Sequence, residues 1–148
     1  MKIAVIYQSR GGNTKAVAEV IANSLGVKAE SVDSAITERV DVLFVGGGVY
    51  MWKMDESLYN FLSELNSENV GQIVCFSTTG SMASTIRQIK QVAKQKEIMV
   101  NENELLLKML LRGHSSLGLT GGKLTDRQIK KIEIFVNSVL ISMKNDVS

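Results

Sequence analysis

The sequence predicts an α/β fold: a doubly wound parallel sheet with a layer of helices on each face. Three observations carry that expectation. First, IAVIY at residues 3–7 is a continuous apolar run. Strands of a parallel sheet are covered on both faces, so they read as unbroken apolar runs rather than as alternation. Second, VDVLFV at 40–45 and QIVCFS at 72–77 repeat the signal, with segments of helical period between them. The order βαβ(α)βαβαβα, joined by right-handed crossovers, gives a parallel sheet with helices on both sides. Third, each strong strand runs into small or hydroxyl residues: SRGGNT at 9–14, GGGVYMWK at 46–53 and TTGS at 78–81. These loops converge beyond the carboxyl ends of the strands, where such sheets bind ligands.

The rest of the chain is organised around the first of these loops. After Ser9, Arg10, Gly11, Gly12, Asn13 and Thr14 a helical face begins at once, with Val17, Val20, Ile21 and Leu25 spaced i, i+3, i+4, i+8. Strand, tight loop and helix in that order aim free backbone N–H groups and the positive end of a helix dipole at one spot, which suits a phosphate. Gly11 and Gly12 let the backbone approach closely. The hydroxyls of Ser9 and Thr14 and the amide of Asn13 can bond phosphate oxygens. The triphosphate loop GxxxxGK[ST] and the dinucleotide fingerprint GxGxxG are both absent here. The same residues also suit a glycine-rich βα turn that holds no ligand.

Gly26 stands where a glycine would end the first helix. Residues 27–32 read as a shorter outer strand, and 33–39 as a polar stretch with room for one helical turn. Beyond the strand at 40–45, Tyr50, Met51 and Trp52 fall in a loop. Leu58, Phe61, Leu62 and Leu65 then mark a helix, and Met82, Ile86, Ile89 and Ala93 mark another after 72–77. A fifth strand is expected within 96–123, from 98–100 or from 104–111. Thr125 opens the last helix, with Gln128 three residues on to complete a capping box. Ile132, Phe135, Val136, Val139 and Leu140 form its core face.

Composition bounds the function. The 148 residues are read as one domain, 1–148, with an ordinary 45% hydrophobic content. No apolar run approaches ~18 residues, and the N-terminal strand lacks a signal-peptide pattern. A cytoplasmic protein is therefore expected, with no membrane contact. The single Cys75 cannot form an internal disulfide and reads as inert core. The formal charge of +2 is spread along the chain, with no basic cluster for nucleic acid. No metal-ligand cluster is present, and the single His114 reads as a loop residue. Met51, Met54 and Met82 read as packing groups.

These motifs together resemble a known family. SRGGNT is similar to the phosphate loop of flavodoxins, [ST]-x-T-G-x-T, with Gly11 in place of the threonine. GGGVYMWKMDESLYNFL at 46–62 resembles that family's loop after the third strand, and CFSTTGS at 75–81 its loop after the fourth. RGHSS and LTDRQIKKIEIFV are similar to the tail of some flavodoxin-like proteins. The chain thus resembles a short-chain flavodoxin along nearly its whole length. That resemblance implies a five-stranded sheet of order 2-1-3-4-5 in an α/β/α sandwich, and flavin mononucleotide (FMN) as cofactor. It implies phosphate on the N–H groups of residues 10–14 and a stack of Tyr50 or Trp52 on the flavin ring. It also implies backbone bonds from Thr78, Thr79 and Gly80 to the ring's polar edge. Gly47, Gly48, Val49, Met51 and Ser81 complete the implied contact set.

The implied function is a monomeric electron carrier that meets redox partner proteins transiently. A second expectation is a flavodoxin-fold oxidoreductase that uses FMN, either a quinone reductase or protoporphyrinogen oxidase-like. That group has an aromatic stretch similar to YMWK after its third strand. A third is a scaffold that no longer binds flavin. The chain departs from flavodoxins in lacking an acidic balance, a glycine within 51–53 and an aromatic within 78–84. With Arg10 and Lys53 flanking the site, the two one-electron potentials are expected to lie closer together than in an acidic flavodoxin.

Overall fold

The structure is a computed structural model and describes residues 1–48, 54–79, 84–109 and 123–147. Its elements in chain order are β1 (Ile3–Tyr7), α1 (Asn13–Leu25), β2 (Ala29–Ser31), β3 (Val40–Gly48), α2 (Glu56–Ser63), β4 (Val70–Thr79), α3 (Ser84–Gln95), β5 (Met99–Lys108) and α4 (Asp126–Val147). The five strands form one sheet of order β2-β1-β3-β4-β5. Every pairing is parallel.

Alternating side chains of the unbroken apolar strands feed two separate cores. Val42, Phe44, Val74 and Phe76 pack with Val17, Ile21, Ile132, Val136 and Val139, so α1 and α4 cover one face. Leu43, Val45, Ile73 and Cys75 pack with Leu58, Leu62, Ile86 and Ile89, so α2 and α3 cover the other. Phe44 meets Phe135 edge to face, with ring centroids 6.1 Å apart. Such a contact adds about 1 kcal/mol beyond area burial and pins α4 to the central strand. Leu140, expected on the core face of α4, is only partly buried at its rim.

Four boundaries differ from the sequence reading, two through local turns and two through strand pairing. The first outer strand is Ala29–Ser31 rather than 27–32. Gly26, at φ 70°, donates its N–H to the Asn23 carbonyl, and Val27 donates to Ala22. This Schellman cap takes Val27 for the helix end. Residues 33–39 hold no helix; Ser34 N–H closes a tight turn on the Ser31 carbonyl, 3.0 Å. Gly46, Gly47 and Gly48 belong to β3, paired with Phe76, Ser77 and Thr78. Thr78 and Thr79 likewise belong to β4.

The fifth strand, left open within 96–123, is Met99–Lys108. Its register slips: Ile73 faces Val100, yet Cys75 faces Glu104. Two residues of β4 therefore oppose four of β5, and Asn101 organises the surplus. Its Oδ1 accepts from the Asn103 N–H and side-chain amide, and its Nδ2 donates to Gln72 and Ser142. The surplus is two residues, so the faces of β5 stay in step on either side of it.

Topology fixes where the functional loops gather. α1, α2 and α3 each follow a strand, so their N-termini lie at the carboxyl edge of the sheet. In a sheet of order 2-1-3-4-5 the chain reverses direction at the neighbouring strands β1 and β3, which opens a crevice between their following loops.

Candidate functional site at the carboxyl ends of β1 and β3

Ser9 to Gly12 form the turn between β1 and α1. Gly12, the N-cap of α1, has φ 93°, a left-handed conformation that favours glycine. The Gly12 N–H donates to Ser9 Oγ, 3.0 Å, which folds the loop back on itself. A side chain at Gly11 would meet nothing within 4 Å, so the loop leaves open space there. The first turn of α1 has no side-chain cap and no acidic residue. Only from Ala16, whose N–H donates to the Gly12 carbonyl, does the intrahelical ladder begin. α2 is built the opposite way: Asp55 caps it and Glu56 lies in its first turn. Of these two helix starts, α1 is the one arranged for an anion.

Beneath the loop lies a layer of buried hydroxyls. Thr14 Oγ1 and Thr78 Oγ1 share a hydrogen bond of 2.7 Å that joins α1 to β4. Thr14 is 2% exposed and Thr78 7%. Thr14 therefore holds helix to sheet, besides any bond it offers to a phosphate. Ser77 Oγ donates to the Gly47 carbonyl, 2.7 Å, and Thr85 Oγ1 donates to the Gly48 carbonyl, 2.6 Å. The two glycine carbonyls are thus bonded to hydroxyls of β4 and α3. Two buried acceptors at this end of the sheet, Gln8 Oε1 and Ser84 Oγ, have no hydrogen-bond partner.

The largest departure from the sequence reading is at Arg10. Its Nε and Nη2 both donate to Asp55 Oδ2, at 2.8 and 2.6 Å. Asp55 Oδ1 accepts from the N–H and hydroxyl of Ser57. The Ser57 hydroxyl, the Ser57 N–H and the Arg10 guanidinium together hold the Asp55 carboxyl below the usual aspartate range, against the opposing pull of burial. Arg10, expected to flank the site as a positive charge, is therefore paired with a carboxylate there. Beside it, the Met54 N–H is held by Gln88 Oε1, 3.1 Å.

Of the residues singled out in the sequence, Ser9, Arg10, Gly11, Gly12, Asn13, Thr14, Gly47, Gly48 and Thr78 gather at this edge. Thr79 ends β4 beside them. Val49, Tyr50, Met51, Trp52, Lys53, Gly80, Ser81, Met82 and His114 lie outside the described residues. Cys75 is buried in β4, and burial pushes its thiol up to about 12, as expected of inert core. Asp55, Ser77, Thr85, Gln88 and Gln8 were missed by sequence reasoning. Only Asp55 carried a local signal, since an aspartate just before the helical face of Leu58, Phe61 and Leu62 is a preferred N-cap. The others act through partners far away in sequence. Among the described residues, no three His, Cys, Asp or Glu side chains gather as a metal site, and no helix is long and apolar enough to cross a membrane.

The family model described as a flavodoxin domain matches residues 4–144. The chain belongs to the flavodoxin family. It is 27% identical over 154 residues to an uncharacterized protein of Methanocaldococcus jannaschii, covering 95% of this chain and 99% of that one. It is 38% identical over 93 residues to a flavodoxin of Aquifex aeolicus, covering 53% of this chain and 50% of that one. Among solved structures, an archaeal flavodoxin superposes with a TM-score of 0.77 at 21% identity, covering 97% of this chain and 99% of that one. The rubredoxin oxygen:oxidoreductase of Desulfovibrio gigas superposes at 0.74 and 13% identity, covering 99% of this chain but 37% of that one. At those identities the two structures speak for the fold alone.

Membership in the flavodoxin family implies a flavin. The described residues fit one that ends in a phosphate. The start of α1 has no side-chain cap and no acid in its first turn, Gly12 is turned and the space at Gly11 is open, features that would suit an anion at the β1/β3 crevice.

Proposed function

We propose that this flavodoxin-family protein binds FMN at the β1/β3 crevice and carries electrons between redox partner proteins. The observation that carries the reading is the start of α1, which has an N-cap without a side chain, no acid in its first turn and a loop folded by Ser9. The name of the Aquifex relative and the family model support it.

In this reading the N–H groups of the first turn of α1 and the Ser9 hydroxyl hold the phosphate. Gly11 and Gly12 keep side-chain bulk away from it. Val49, Tyr50, Met51, Trp52, Gly80 and Ser81 complete the contact set by resemblance, with Tyr50 or Trp52 against the ring. Bound flavin supplies one- and two-electron redox chemistry. The chain's part is to bind, orient and partly shield the ring. Ser77 and Thr85 fix the Gly47 and Gly48 carbonyls, and so the point where the chain leaves β3. The protein is read as a single domain, 1–148, monomeric and cytoplasmic.

The test is to photoreduce the FMN-loaded protein and follow electron delivery to cytochrome c, then to assay it alone with NAD(P)H and a quinone. Stoichiometric delivery without sustained quinone turnover is the expected result. Many turnovers per protein with NAD(P)H and quinone would instead make it an FMN-dependent oxidoreductase.

A further inference from the structure

Arg10 and Asp55 stand on opposite sides of the crevice. Arg10 lies in the loop after β1, whose helix covers one face of the sheet. Asp55 lies at the start of α2, after β3, on the other face. β1 and β3 are neighbours, so the pair spans the mouth of the switch point. Each oxygen of Asp55 has its own task. Oδ1 caps α2 through Ser57, and Oδ2 takes two bonds from Arg10. The Asp55 side chain is 13% exposed and that of Arg10 59%. The carboxylate is thus anchored by the helix it caps, and the arginine reaches to it. Two N–H groups of one guanidinium converge on a single carboxylate oxygen, which limits the direction of the arginine as well as pairing its charge.

We infer that Asp55 is a positioning residue for the anion site: it holds Arg10 across the crevice mouth and offsets the arginine's charge beside the phosphate cradle. A phosphate ester is then bound by backbone N–H groups and hydroxyls next to a compensated pair. This inference rests on the reading of residues 9–14 as a phosphate loop. It leads to opposite signs for the two halves of the pair. Removing Asp55's charge leaves a cation near the cradle and tightens binding of a phosphate monoester. Removing Arg10's charge leaves a carboxylate there and weakens it. A pair that served folding alone would give loss from both sides.

The experiment compares wild type, Asp55→Asn, Arg10→Gln and the double variant as apoproteins. Each is titrated with FMN and with riboflavin, which lacks the phosphate, at low and high salt. Asparagine still caps α2, since its side-chain oxygen accepts from the Ser57 N–H. Melting temperatures report whether each variant folds. Asp55→Asn is expected to bind FMN about fivefold tighter at low salt and Arg10→Gln about fivefold weaker, with the double variant near wild type. High salt shrinks both changes, and riboflavin shows neither. If both single variants weaken FMN, if both leave it unchanged, or if riboflavin shifts equally, the pair does not act on the phosphate and the inference falls while FMN binding stands. If wild type does not distinguish FMN from riboflavin, the phosphate-loop reading itself fails and takes the inference with it.

Discussion

At the scale of single residues, two positions take roles other than those the sequence suggests. Gly46 reads as the start of a ligand loop, but it is a strand residue opposite Phe76. A Cβ there would overlap the Phe76 carbonyl oxygen and ring. Gly46→Ala must push β3 from β4, at a cost of about 3 kcal/mol or failure to fold. Urea unfolding measures it, and a loss under 1 kcal/mol would mean the strands are looser than described. Thr14 reads as a phosphate ligand and also bonds Thr78 in the core. Thr14→Val keeps the shape but leaves the Thr78 hydroxyl without that partner, at a cost of about 1–3 kcal/mol. Thr14→Ser keeps the bond and should lose less, so equal losses from the two variants would contradict that role. The loop 9–14 was legible because its glycines and hydroxyls follow an apolar strand directly. Arg10's partner was not, since nothing local marks a carboxylate 45 residues away.

At the scale of elements, period and caps located most of the fold. The capping box at α4 reads straight from Thr125 and Gln128, and both bonds are present: Gln128 N–H to Thr125 Oγ1 at 3.1 Å and Thr125 N–H to Gln128 Oε1 at 2.9 Å. Thr125→Ala should cost about 1 kcal/mol in urea unfolding, and Thr125→Ser much less. No difference between the two would show that α4 starts without this cap. Where the reading left β5 open, the cause is physical. From 101 to 108 the two-residue period holds, with Asn101, Leu105 and Leu107 buried and Glu102 and Glu104 exposed, but the polar run Asn101–Glu104 hides it because one of its inward positions is an asparagine. A polar residue at 7% exposure defeats any rule that places only apolar side chains inside.

At the scale of the whole molecule, the Arg10–Asp55 pair joins loops from opposite faces of the sheet, so its protonation bears on stability. Asp55's folded pKa lies below its unfolded value, chiefly through the Ser57 hydroxyl, with Arg10 adding to the shift. Its contribution is therefore fully present above the ordinary aspartate value of about 3.9, and fades as pH falls through the lower folded value. The stability gap between wild type and Asp55→Asn should be flat above about pH 5 and shrink below about pH 4. A gap unchanged down to pH 2.5 would contradict an ionised, paired Asp55. An anion cradle at the start of α1 is tested most directly by titrating wild-type apoprotein with FMN and riboflavin side by side. FMN is expected to bind at least about tenfold tighter, the effect of roughly 1.4 kcal/mol from charge-assisted bonds to the phosphate. Equal affinity for the two would contradict the phosphate cradle.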